Sequence, residues 1–274
     1  MGRLQRMRPL LGTFVEIGVQ ADAPDVKLAR MIDAGFAELE QAQALWSFQS
    51  SESELSRLNA AGGQVLPLNR RTVRVLRLAR AMTARSGGLF DCTVGGTLIE
   101  VGALPDHGGT PALPRGEAGD IELGEGWARL KRPVRLTLDG IAKGFAVDLA
   151  VGALRRHGAA SGWVNAGGDL RVFGELVLPV SRREADGRLT PLGGLRSAAL
   201  ASSGAGLREP DRFPALLVGR GNRRLPRGVH SVLARSAWRA DALTKVAAAA
   251  PARERAASVR ALGGCLIENL EAQA

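Results

Sequence analysis

From residue 13 to residue 19 apolar and polar positions alternate, with Val15, Ile17 and Val19 on one face and Glu16 and Gly18 on the other. That two-residue period predicts a half-buried strand. Over Asp25–Trp46 the period changes: Leu28, Ile32, Phe36, Leu39 and Ala42 recur at the spacing of one helical face. Residues 53–58 read as a short helical turn. Residues 71–86 read as a basic amphipathic helix with Val75, Leu78, Ala79 and Met82 on its apolar side, stopped by Gly87-Gly88. Residues 103–120 are rich in Gly, Pro and charge, which predicts a loop or insertion. Short strands are expected at 121–123, 128–130 and 134–138, then a helix over 141–157 with Ile141, Phe145 and Leu149 on one face. Strands at 163–165 and 170–172 flank a glycine pair, and others are expected at 176–180, 195–201, 215–218 and 229–233. Asp241 is expected to open an alanine-rich helix, and 265–268 a last strand. Many short strands with a few helices between them predict an α+β fold of mixed sheets with packed helices, without an internal repeat.

Composition narrows the class. A chain of 274 residues, 45% hydrophobic, can bury a full core, and we expect one domain over residues 1–274. Aromatic residues are only 4%, with no tyrosine, so Leu, Val and Ala must build most of that core. The net charge of +10 comes almost wholly from arginine, the lysines being Lys27, Lys131, Lys143 and Lys245. The arginines are scattered and no aromatic-basic motif accompanies them, so no nucleic-acid partner is expected. The charge still favours anionic ligands. Cys92 and Cys265 form no CxxC, and His107, His157 and His230 are isolated, which argues against disulfide, zinc and His-rich metal sites. No apolar run is long enough to span a membrane. No signal-peptide pattern is seen near Met1, so the chain as written is expected to stay in the cytoplasm.

Four segments carry candidate chemistry. In Thr137-Leu138-Asp139-Gly140-Ile141-Ala142-Lys143 a strand is expected to run into a helix, with Asp139 as N-cap and Lys143 in the first turn. A cation there opposes the helix dipole, and a phosphate bound to the free amides and the ammonium would resolve the conflict. The simpler reading is a capped helix with a solvent-facing lysine. Val164-Asn165-Ala166-Gly167-Gly168-Asp169 is either an ordinary hairpin turn or a place where a ligand approaches the backbone. Asp241, with Thr244 about one turn on, is either a helix cap or a carboxylate for a hard cation. Gly87 to Gly95 is a helix-ending loop that carries Phe90 and Asp91.

Taken in order, these segments resemble the FAD:protein FMN transferase (ApbE-like) family. The series runs Gly12-Thr13, Ser47-Phe48 with residues 53–59, Phe90-Asp91-Cys92-Thr93-Val94-Gly95, Gly140 to Asp148, Val164 to Asp169, Ser203-Gly204 and Ala240 to Lys245. It covers nearly the whole chain, from residue 8 to about 250. The resemblance implies transfer of the FMN half of FAD to a Ser or Thr of an acceptor flavoprotein, with release of AMP and with Mg²⁺ as cofactor. It implies Asp241 as catalytic metal ligand, with Gly140 and Thr244 near the same ion. It also implies Leu11, Phe48, Leu89, Phe90, Asp91, Thr137 and Lys143 around FAD. Four departures accompany it, the first being Cys92 in the place of a proline. Thr137-Leu138-Asp139-Gly140 stands for Asp-Leu-Gly-Gly. Lys245 occupies the place of a threonine four residues after the metal Asp. The His-x-x-Asp-Pro-Arg-Thr-Gly segment is missing, with residues 214–221 as its remnant. A transferase with altered site residues, a non-catalytic FAD- or partner-binding member, and a structural protein that retained the fold all remain open.

Overall fold

A computed structural model describes residues 1–205, 217–219 and 225–267. Its spine is a seven-stranded sheet. The strands are β1 (Gly2–Leu10), β2 (Thr13–Ala21), β6 (Ser161–Ala166), β7 (Asp169–Phe173), β10 (Ala199–Ala205), β11 (Gly228–Ala234) and β12 (Gly264–Ile267), in that order across the sheet. Every neighbouring pair is antiparallel. Between β2 and β6 the chain inserts α1 (Asp25–Trp46), α2 (Glu54–Ala60), β3 (Leu66–Pro67), α3 (Arg70–Arg85), α4 (Gly95–Glu100), β4 (Ile121–Leu123), β5 (Trp127–Leu130) and α5 (Ala142–Arg156). The strands β3, β5 and β4 form a small second sheet. A hairpin of β8 (Leu178–Arg183) and β9 (Leu189–Leu195) follows β7, while α6 (Ala237–Ala249) and α7 (Arg255–Ala261) follow β11.

Both faces of the main sheet are covered. Helices α1, α5 and α6 lie on one face, where Val15, Ile17 and Val19 of β2 meet Leu28, Ile32, Phe36 and Leu39 of α1, all fully buried. Burial of each such side chain contributes about 2 kcal/mol. A second apolar cluster, Trp163, Leu170, Val172, Leu195 and Leu200, lies between the sheet and the β8–β9 hairpin.

The helical and strand periods of the sequence are met closely at β2, α1, α3 and α5, and the α+β expectation holds. Elsewhere the chain differs. β1 shows no apolar alternation because it is an edge strand carrying Arg3, Arg6 and Arg8. Arg8 lies 4.4 Å over the Phe36 ring and 2.8 Å from Asp33, so its charge covers the core instead of interrupting it. Residues 134–138 form no strand but an extended segment with a single bridge, Val94 to Arg135. There the Asn59 amide replaces a strand partner: Nδ2 donates to the Leu136 carbonyl at 2.9 Å, and Oδ1 accepts from the Leu136 amide at 2.8 Å. The strand expected over 195–201 is the end of β9 and the start of β10, broken at Ser197, whose φ is +45°. The strand expected at 215–218 and the end of that at 265–268 fall partly outside the described residues.

Candidate active site

Two helix starts build the site. At the first, the Leu138 carbonyl accepts from the amides of Ile141 at 2.9 Å and Ala142 at 2.7 Å, which turns the chain into α5. Asp139 was expected to cap that helix and does not: α5 has no side-chain cap. Instead the Asp139 amide lies 3.4 Å from Thr137 Oγ1, and the carboxyl is open to solvent. Protein still surrounds Asp139 closely enough that desolvation pushes its carboxyl above the usual value, against Thr137 and the charges of Lys143 and Lys245. Lys143 does fall in the first turn, and its ammonium finds a carboxylate: Nζ is 3.0 Å from Asp169 Oδ2. The Asp169 charge holds Lys143 well above the ordinary lysine value.

Asp169 is supplied by the hairpin between β6 and β7. Gly167 and Gly168 have φ of +61° and +102°, the left-handed pair that a two-residue hairpin turn requires. A Cβ on Gly167 would sit 2.6 Å from Thr13 Oγ1, so the turn also admits a close neighbour. The hairpin reading of this segment is therefore right, and its product is Asp169, buried at the start of β7. Burial pushes the Asp169 carboxyl up, and the nearby Asp241 charge adds to the effect. The approach of Lys143 has ion-pair distance without hydrogen-bond angles, and Asp169 Oδ2 is left buried with no hydrogen bond.

The second helix, α6, begins at Ala237 and not at Asp241 as expected. Its cap comes from α5: the Asp148 carboxylate accepts from the amides of Ala237 and Trp238, each at 3.0 Å, and pairs with Arg171. Asp241 is thereby freed from capping and sits in the second turn, wholly buried. Its Oδ2 accepts from the Gly144 amide at 3.1 Å, and its Oδ1 pairs with the Lys245 ammonium one turn along. Gly144 allows this approach, since a Cβ there would lie 2.4 Å from the Ala237 carbonyl oxygen. Lys245 Nζ also donates to Ser203 Oγ of β10 at 3.2 Å. Thr244 Oγ1 lies 2.7 Å from the Asp241 carbonyl and 2.8 Å from Ser203 Oγ.

Of the residues expected from the sequence, the structure gathers Gly140, Lys143, Asp241 and Thr244 into one cluster. Phe90 joins it: a Cβ on Gly140 would meet Phe90 Cε2 at 3.1 Å and Lys245 Cε at 3.5 Å. Thr137 is buried beside Asp139, its amide bonded to the Cys92 carbonyl at 2.9 Å. Leu89 is half-buried against the core. Asp91 is occupied within its own loop, where Oδ1 accepts from the Thr93 amide at 2.8 Å and the Thr93 hydroxyl at 2.6 Å. Arg115 then lies 3.5 Å from Asp91 Oδ2. Leu11 takes a φ of +55° in the β1–β2 turn, its amide donating to Gln43 Oε1 at 2.6 Å. That conformation is rare for a residue with a Cβ. Phe48 stacks on His107, centroids 5.9 Å apart, at the edge of a small cleft with Ser56, Asn59 and Arg135. A cavity of about 280 Å³ lies between Gly62, Gly109, Lys131 and Arg135, and no residue of the charged cluster lines it.

Sequence reasoning gave no role to Asp148, or to Asp169 and Ser203 inside the family segments. The Gly-Gly-Asp run was the available signal for Asp169. Nothing in sequence marks His230, which faces Ser203 across the β10–β11 ladder. Burial, with the Arg255 and Arg182 charges, lowers its imidazole to about 4. Cys92, pushed up to about 12 by burial, is no nucleophile at neutral pH.

The side chains present do not fit a divalent ion. The Lys245 ammonium already neutralises Asp241 at Oδ1, the Thr244 hydroxyl is turned to a carbonyl and a serine, and no group of three acidic, His or Cys residues suited to a metal occurs among the described residues. No described helix is long and apolar enough to cross a membrane.

Comparison with known proteins agrees with this architecture. The chain is 26% identical over 185 residues to an FAD:protein FMN transferase of Treponema pallidum (strain Nichols), covering 62% of this chain and 51% of that protein. It is 31% identical over 185 residues to one from Rhodobacter capsulatus, covering 61% and 34%. The match thus spans about half of the first relative and about a third of the second. Among solved structures, the ApbE protein of Thermotoga maritima superposes with a TM-score of 0.80 at 21% identity, over 97% of this chain and 93% of that one. The apo flavinyl transferase ApbE of Pseudomonas stutzeri gives 0.77 at 17% identity, over 98% and 95%. At those identities the superpositions establish the fold, and the ApbE family model matches residues 11–266, so the chain belongs to the ApbE family.

Proposed function

We propose that this protein transfers the FMN half of FAD to a Ser or Thr hydroxyl of an acceptor flavoprotein and releases AMP. The observation that carries this reading is that the charges of Lys143 and Lys245 both act on Asp139 and Asp169, with the Lys245 stem beside Gly140 and Phe90. A diphosphate needs such cations, and the Lys143 side chain is 36% exposed, so it can reach one. The names of the two relatives support the same chemistry. In the reaction the acceptor oxygen forms a new bond to the FMN phosphorus. The bond from that phosphorus to the bridging oxygen breaks, and AMP departs with that oxygen. The hydroxyl proton passes to solvent. The lysines stabilise charge on the phosphoryl oxygens and on the departing AMP. In this reading Asp241 is a positioning residue that fixes the Lys245 cation. Mg²⁺, implied by the family resemblance, finds no complete ligand set, and no step is assigned to it.

The test is incubation with FAD and a flavoprotein acceptor, following AMP by chromatography and covalent flavin by in-gel fluorescence. Release of AMP with labelling of the acceptor supports transfer. The missing His-x-x-Asp-Pro-Arg-Thr-Gly segment, whose remnant lies mostly outside the described residues, favours slow turnover or the second reading, a non-catalytic FAD binder. Quenching of flavin fluorescence without AMP release selects the binder, and no quenching removes both. We keep the cytoplasmic placement as part of the proposal, and fractionation that recovers the native protein elsewhere refutes it.

A further inference from the structure

The geometry points to the Lys245 ammonium as the resident cation of this site, fixed on Asp241 where a divalent ion would otherwise bind. The inference takes its ligand from the FAD reading, but its claim about the cation stands on the side chains alone. Lys245 and Asp241 are four residues apart on α6, so the helix itself brings ammonium and carboxylate together without any ligand. Asp241 is wholly buried and the Lys245 side chain is 15% exposed, so water screens the pair weakly. Ser203 Oγ accepts a second ammonium hydrogen, which leaves a third for a ligand oxygen.

The remaining groups around Asp241 close the place to a metal. The Gly144 amide occupies one of the two acceptor sites on Oδ2, and the Thr244 hydroxyl lies against the Asp241 carbonyl and Ser203. Lys143 lies 3.0 Å from Asp169, so each buried carboxylate already faces an ammonium. A divalent ion would have to expel Lys245 from Asp241 and leave a desolvated cation beside it. The two lysines therefore contact the diphosphate directly, and divalent ions add little.

Manganese(II), followed by the loss of its free electron paramagnetic resonance signal, tests the site without FAD. Wild type is expected to leave the signal unchanged up to millimolar metal. Lys245→Thr and Lys245→Ala are expected to tighten manganese binding by about tenfold or more, and Asp241→Asn in either background to abolish the gain. Lys245→Met keeps the stem without the charge and serves if the shorter variants do not fold. Micromolar binding by wild type that Asp241→Asn removes overturns the proposal, as does binding by folded Lys245 variants no tighter than wild type. In wild type the FAD affinity is expected to differ by less than about twofold between chelator and millimolar Mg²⁺. A loss of about tenfold or more in chelator overturns the proposal too. Absence of FAD binding in both buffers removes the FAD reading and leaves the manganese result to decide the cation.

Discussion

At the scale of single residues, stability rests on polar side chains that satisfy distant backbone. Asn59 closes both hydrogen bonds of Leu136, 77 positions away. Asn59→Ala leaves a buried amide and carbonyl unpaired, and urea denaturation should show a loss of about 2–3 kcal/mol. His230 sets an acid limit. Its imidazole is lowered from 6.5 to about 4, so between those values the unfolded chain binds a proton that the native state refuses. Its contribution is complete above pH 6.5, is lost as pH falls toward 4 and levels off below. His230→Gln should flatten that part of the curve, read from urea midpoints at pH 7 and pH 5. Equal pH slopes in wild type and variant count against it. The positive φ of Leu11 lies at the same scale and was invisible in sequence, since nothing but the Gly12 beside it hints at a left-handed turn.

At the scale of elements, the pair α5–α6 decides the site. Asp148 on one helix caps the other, and Gly144 lets their backbones meet. Asp148→Ala removes the cap and strands Arg171, with an expected loss of about 3 kcal/mol in chemical denaturation. Gly144→Ala sets a Cβ against the Ala237 carbonyl and should cost about 1–3 kcal/mol. It should also displace Asp241 and weaken FAD binding in a fluorescence titration; unchanged affinity would separate helix packing from the site. The same pair shows what the sequence could tell. The apolar period of α5 and the first-turn place of Lys143 were legible because both follow from local spacing. Asp241 was misplaced as a helix start because its segment holds an acidic residue before an alanine run, while the cap lies on another helix. Asp169, which meets Lys143, and Ser203, the second partner of Lys245, were hidden for the same reason: they arrive on strands that only tertiary pairing brings near, whereas Asp241 lies four residues from Lys245 on its own helix.

At the scale of the molecule, the larger apolar cluster draws on β2, α1, α3, α5, β10, β11, α6 and α7 together. A core shared so widely predicts one cooperative unfolding transition, with calorimetric and van't Hoff enthalpies in agreement. Two resolved transitions would divide the single domain expected from the sequence. The order of the main sheet carries a further consequence, one of timing. β2 meets β1 at once on the chain, but its other edge waits for β6, and the pair Gln20–Ser161 closes only after α1 to α5 have been made. At ordinary translation rates that interval is on the order of ten seconds. Throughout it the emerging hairpin presents Val15, Ile17 and Val19 beside an open row of backbone donors and acceptors, an exposed edge that the nascent chain carries until β6 arrives to cover it.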